Sequence, residues 1–175
     1  MKTFKRKLMY AALSLVFSPV AMAAGEYAGG QWAMMNYDLN GGSGSADMTV
    51  AVARYGMNWR PNVDFEARFG LGLADDTVGL VTVDTNYILG AYVVGRLPAG
   101  NNVTVYGMLG ITRSDLSVNI TGLGSADDSG TDISYGFGLD YQVNQKWAAN
   151  LEYMFYADTD GGELTALSLG ASYSF

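Results

Sequence analysis

From Tyr27 onward, apolar and polar residues alternate with a period of two, which is the signature of β-strands with two unlike faces. The clearest stretch is 132–143. One face reads Ile133, Tyr135, Phe137, Leu139, Tyr141 and Val143; the other reads Asp132, Ser134, Gly136, Gly138, Asp140 and Gln142. The same pattern recurs in 64–74 (Phe65, Ala67, Phe69, Leu71 and Leu73 against Asp64, Glu66, Arg68, Gly70 and Gly72). It recurs again in 147–156 and 166–175. Segments 27–37, 47–59, 84–97 and 102–113 alternate more weakly. In 84–97 both faces are apolar over Tyr87 to Val94; the reading that puts Tyr87, Leu89, Ala91, Val93 and Leu97 outward turns Arg96 inward. The pattern thus predicts eight strands and no helix.

The connections alternate strictly in length. Three are tight and carry turn-forming Pro, Gly or Asn: 60–62, 98–101 and 144–146. Four are longer and polar: 38–46, 75–83, 114–130 and 158–163. Strands of ten to twelve residues exceed the usual five or six of a soluble sheet and suit a tilted bilayer crossing. An open sheet would leave edge N–H and C=O groups in hydrocarbon, so the sheet must close. The expected fold is all-β: an eight-stranded antiparallel up-and-down transmembrane β-barrel, with short periplasmic turns, longer outer loops and its apolar face toward lipid.

Arginine tests that orientation, because on the lipid face at midplane it costs roughly 2–4 kcal/mol. The assigned phase places Arg54, Arg68 and Arg96 inside the barrel with Glu66, Asp140 and Glu152, and with Gln31, Asn58 and Asn150. An eight-stranded lumen is only wide enough for side chains to fill it. Three guanidiniums and three carboxylates are therefore read as a balanced interior network. Aromatic residues gather near strand ends: Trp59, Phe65, Tyr141, Trp147, Tyr173 and Phe175 toward the tight turns, and Tyr87, Tyr135 and Phe155 toward the other rim. They are expected to form two interfacial girdles.

The first residues read differently. Lys2, Lys5, Arg6 and Lys7 precede an apolar run from Leu8 to Phe17, then Pro19 and Ala21-Met22-Ala23. This is the pattern of a cleaved secretory signal, and the run is too short to span a membrane. The expected division is a signal peptide at 1–23 and a barrel domain at 24–175. Removing 1–23 leaves six basic and seventeen acidic residues, a net charge of −11. That balance excludes nucleic acid as a partner. The chain has no Cys and no His, so the usual nucleophile–base pairs and the commonest metal ligand are absent. No catalytic, cofactor-binding or metal site is expected. Asp158–Glu163 has the composition of a calcium loop without its spacing and reads as an acidic turn. The outer connections hold Asp38, Asp47, Asp75, Asp76, Asp115, Asp127, Asp128, Asp158, Asp160 and Glu163, which could share divalent cations with lipopolysaccharide phosphates.

Several stretches resemble the small outer-membrane barrels of the OmpA/OmpX type. They are Gly136-Phe137-Gly138-Leu139-Asp140-Tyr141, Asn150-Leu151-Glu152-Tyr153 and the closing Leu167–Phe175, with 62–66 and 105–110 similar as well. The resemblance implies an outer-membrane location in a Gram-negative cell and a monomer. It implies outer-membrane lipid and lipopolysaccharide as neighbours, and periplasmic chaperones and the barrel assembly machinery as partners. It also implies that Tyr173 and Phe175 carry the assembly signal. Glu66, Asp140 and Glu152 fall on the family's acidic positions. Asn150 and Met108 replace basic residues found in some relatives, which puts any gating role known for those relatives in doubt. The function expected is structural or surface-interacting and non-enzymatic (envelope integrity, adhesion or host-surface contact), the alternative being a narrow porin-like channel.

Overall fold

The computed structural model describes residues 25–39, 45–74, 76–78, 81–120, 124–159 and 162–175. The signal peptide expected at 1–23 lies outside them, as do Asp75 and Asp160. The described strands are β1 (Glu26–Leu39), β2 (Ser45–Arg60), β3 (Val63–Ala74), β4 (Asp76–Val78), β5 (Val81–Pro98), β6 (Val103–Ile120), β7 (Gly124–Gln142), β8 (Trp147–Thr159) and β9 (Gly162–Ser174). Sequence neighbours pair antiparallel along the wall, except that β3 and β4 do not pair with each other, and two further pairings close it. β1 joins β9, from Tyr27↔Ser174 to Leu39↔Gly162. β3 joins β5, from Val63↔Gly95 to Leu71↔Tyr87. The three-residue β4 pairs with β5 further along, at Val81 to Val83, so β3 and β4 occupy one position in the wall. The result is a closed eight-stranded antiparallel barrel with no helix among the described residues. Closure leaves no edge to face hydrocarbon.

The tight turns form where the sequence places them. Asn62 takes a left-handed backbone (φ 66°), a conformation Asn tolerates better than other residues with a side chain. In 144–146 the Asn144 Oδ1 accepts hydrogen bonds from the backbone N–H of Lys146 and of Trp147, each at 2.9 Å. This is a side chain standing in for a backbone turn.

The other end differs from expectation. The long connection expected at 114–130 is mostly strand: β6 and β7 pair without a register break out to Ile120↔Gly124. Likewise β5 begins at Val81, β1 reaches Leu39, β2 starts at Ser45, β8 reaches Thr159 and β9 starts at Gly162. The physical reason is that alternation reports a lipid face. Above the bilayer both faces meet water, so the apolar signal fades while the backbone ladder continues.

Where side chains are described, the face assignment holds along the strands, apart from Asn58 at the lip, which is exposed. Leu89, Val93, Leu97, Leu109, Ile133, Phe137, Leu151 and Leu169 are exposed on the outer surface. Their inward neighbours, such as Ile88, Tyr92, Val94, Met108, Ser134 and Glu152, are buried. The register of 84–97 is therefore the one that sends Arg96 inward. The expected aromatics line the outside: Tyr135 stacks on Phe155 at 4.8 Å, and Trp147 meets Tyr173 edge-on at 5.1 Å.

Candidate functional site: the barrel interior

Glycine and tyrosine together shape the lumen. Three inward tyrosines each pair across strands with a glycine: Tyr27↔Gly56, Tyr92↔Gly110 and Tyr106↔Gly138. A methyl group added at Gly56 would lie 2.1–2.4 Å from the Tyr27 ring, and one at Gly138 would lie 2.6 Å from the Tyr106 ring. The missing side chain is the seat on which the ring lies. Large inward residues elsewhere follow the same rule, with Met154 over Gly136 and Gln31 over Gly170.

The seated rings and the charges form one stack. Near the periplasmic end, Arg96 bridges Asp64 and Asp140. Above it lie the Tyr27 and Tyr106 rings, 4.9 and 5.4 Å from the Arg96 guanidinium carbon. Arg54 sits over the same two rings, at 5.4 and 5.8 Å. Arg54 donates to Glu66 from Nη2 at 2.6 Å and from Nε at 3.0 Å. The Tyr27 hydroxyl donates to Glu66 Oε2 at 2.5 Å. Arg68 joins two carboxylates, donating from Nε to Glu66 Oε1 at 2.6 Å and from its two terminal nitrogens to Glu152 at 2.5 and 2.7 Å. The Tyr106 hydroxyl completes Glu152 at 2.9 Å. Every charge here has a charge-assisted partner, as burial of charge requires.

All six charged residues expected inside are inside: Arg54, Glu66, Arg68, Arg96, Asp140 and Glu152. The expected charge balance is corrected. Asp64 is also buried and paired with Arg96, giving four carboxylates to three guanidiniums among the described residues. Its phase carried the signal, since Asp64 alternates with Phe65 just as Glu66 and Arg68 do. The interior roles of Tyr27, Tyr92 and Tyr106 were not readable, because they depend on cross-strand register. Of the uncharged residues expected inside, Gln31 donates to Asn150 at 3.1 Å, both buried. Asn58 lies at the periplasmic lip, exposed, and donates to Asp64 at 2.9 Å.

Toward the outer end the lumen turns apolar. Ala33, Met35, Val50, Ile88, Met154 and Leu164 are each at most 3% exposed. The hydroxyls there bond within the protein: Tyr92 with Thr112 at 2.5 Å, and Ser134 with the Tyr156 carbonyl at 2.8 Å.

At the periplasmic rim, cations sit on girdle aromatics. Arg60 lies 4.5 Å over Trp59. Lys146 donates to the Tyr173 hydroxyl at 2.9 Å, and that hydrogen bond raises the lysine's pKa. Phe175, the last residue, donates its N–H to the Glu26 carbonyl at 3.0 Å across the closing seam. Among the described residues no group of three or more His, Cys, Asp or Glu is arranged to hold a metal ion.

Comparison with solved structures places this architecture. The attachment invasion locus protein Ail of Yersinia pestis superposes with a TM-score of 0.65 at 20% identity, covering 87% of this chain and 100% of that one. Ail has also been solved with the heparin analogue sucrose octasulfate. Neisserial surface protein A gives a TM-score of 0.67 at 15% identity over 87% of this chain and 98% of that one. The N-terminal β-barrel domain of Pseudomonas aeruginosa OprF gives 0.62 at 14% identity over 87% and 100%. At these identities the likeness shows the fold. No curated protein matches the chain. The family described as "Outer membrane protein beta-barrel domain" matches residues 9–175. The chain belongs to that family, and its place is the cell outer membrane.

Proposed function

We propose that this chain is a non-conducting, non-enzymatic barrel with a structural and surface-interaction role in the outer membrane. The observation that carries this reading is the filled lumen: seven buried or half-buried charged side chains tied by ion pairs, with an apolar layer above them. An eight-stranded barrel has no width to spare once its interior is packed. Opening a path would require breaking paired buried charges, at a cost of about 3–5 kcal/mol for each pair left unpartnered.

Single-channel recording in planar bilayers tests this. Silence across the accessible voltage range is expected. A reproducible open conductance would overturn it in favour of the narrow porin-like channel. The non-enzymatic part follows from a chain without His or Cys. Labelled lipid A and phospholipid incubated with the folded barrel should be recovered unchanged.

Surface contacts would use the outer end. The polyanion captured by Ail is not carried over as a ligand, because the outer connections here are acidic and hold no Lys or Arg. Residues 1–23 act as a cleaved export signal in this reading, and the mature barrel is a monomer. Tyr173 and Phe175, packed ring to ring at 5.1 Å on the final strand, serve as the recognition signal for barrel assembly. The natural neighbours are outer-membrane lipid and lipopolysaccharide, and the partners in biogenesis are periplasmic chaperones and the assembly machinery.

A further inference from the structure

The buried polar groups of the lumen are not satisfied evenly along its length. Four buried side-chain atoms have no hydrogen-bond partner among the described residues: Arg54 Nη1, Asp140 Oδ1, Asn150 Nδ2 and Ser168 Oγ. All four residues lie within six positions of the periplasmic end of their strands. In the outer half the buried hydroxyls of Thr112 and Ser134 are bonded to protein atoms. Among the described residues none of the four lies in the outer half of its strand, Ser168 standing at the midpoint of β9.

Two of the four complement each other. Asp140 and Asn150 are direct cross-strand partners, both pointing inward. One offers an unused carboxylate oxygen and the other an unused amide N–H. Directly paired side chains stand about 4.5–5.5 Å apart at Cβ, a separation one water molecule spans. An unbonded carboxylate oxygen in a closed protein interior is costly, and buried water is the usual remedy where polar partners converge.

A way in exists from one side. The periplasmic mouth holds a recess of about 310 Å³ lined by polar residues that include Asn58, Asn62, Asp64, Arg96 and Thr104. Arg96 reaches from the wall of this recess to Asp140, and its side chain remains 19% exposed. Water that enters the recess meets Asp140 just behind that guanidinium. Toward the other end the buried lining is mainly apolar. Ala33, Val50, Ile88, Met154, Leu164 and Ala166 form an apolar collar at least seven residues from the periplasmic strand ends. None of them offers a hydrogen-bond donor, and only the weakly accepting Met154 sulfur offers an acceptor; hydrophobic constrictions of this kind exclude water.

We propose that the lumen is a one-ended aqueous pocket. Water enters only from the periplasm, is bound between Asp140 Oδ1 and Asn150 Nδ2 and at Ser168 Oγ, and stops beneath the collar. This builds on the reading of the barrel as closed and adds a direction to it. Water-edited solid-state NMR of the full barrel in bilayers tests the pocket separately from conductance. Side-chain signals of Asn150 and Ser168 should gain polarisation from water several-fold faster than the methyl signals of Val50, Ile88 and Leu164. Equal, fast transfer in both halves would overturn the one-ended pocket, and with a measured conductance it would overturn the non-conducting reading too. Slow transfer in both halves, with no conductance, would overturn the pocket and leave the non-conducting reading standing.

Discussion

At the scale of single residues, the interior works because each large group has a partner fixed by register. Arg68 is the central case, since it holds both Glu66 and Glu152. Arg68→Met should lower the unfolding free energy by about 3–5 kcal/mol, because it strands buried charge. Pairing it with Glu152→Leu should recover most of that loss, since Glu66 keeps Arg54 and Tyr27. Urea titrations of the two variants in detergent micelles check this; equal losses would show that the ion pair is not the source. The glycine seats give a second test. Gly56→Ala forces a methyl into the Tyr27 ring and should cost about 1–3 kcal/mol as overpacking. In a Tyr27→Leu background the same substitution should cost far less. An unchanged cost would mean that the ring is not what the glycine accommodates. Which residue each glycine accommodates was not legible beforehand, because the sequence shows glycines and tyrosines on one face and only the register shows which meet.

At the scale of the strand, legibility depended on the medium. Within the bilayer the solvent on one face is hydrocarbon and on the other a packed polar lumen, so the pattern in 132–143 or 147–156 could be read by eye. Segment 84–97 resisted because its inward face is apolar too: Ile88, Tyr92 and Val94 belong to the buried layer. There the reading with Tyr87, Leu89, Ala91, Val93 and Leu97 outward turned Arg96 inward, and the structure has that register. Beyond the bilayer the pattern carried no information, and strand was mistaken for loop from Ser114 to Ile120 and again from Gly124. Depth along a strand is testable in its own right. Leu109, outward and 58% exposed, lies six residues above the start of β6, whereas Val105 lies two above it. Leu109→Arg should destabilise the barrel in phospholipid vesicles by roughly 2–4 kcal/mol, and Val105→Arg by about 0–1. Reversible unfolding titrations would measure both. Equal small costs would mean that this face is not in hydrocarbon.

At the scale of the molecule, charge is sorted by height. The periplasmic rim carries Arg60 and Lys146 against Glu26, a net of +1. The interior carries three Arg against Asp64, Glu66, Asp140 and Glu152, a net of −1. Among the described residues ten further carboxylates and Arg113 lie in the outer parts of the strands, a net of −9 at the end for which lipopolysaccharide is the proposed neighbour. Such a field repels the phosphates of that lipid unless a cation lies between them. Hard divalent ions prefer oxygen ligands and can take them from both sides. In bilayers containing lipopolysaccharide, magnesium or calcium should therefore raise the melting temperature, and a chelator should lower it. In phosphatidylcholine, which has no net charge to bridge, the same ions should do much less. An identical shift in both lipids would reduce the effect to screening of the loops' own repulsion, and no shift in either would remove the cation bridge from the account. The acids were visible in the sequence. So was their place in the longer outer connections; the fold adds that much of that stretch is strand rather than loop.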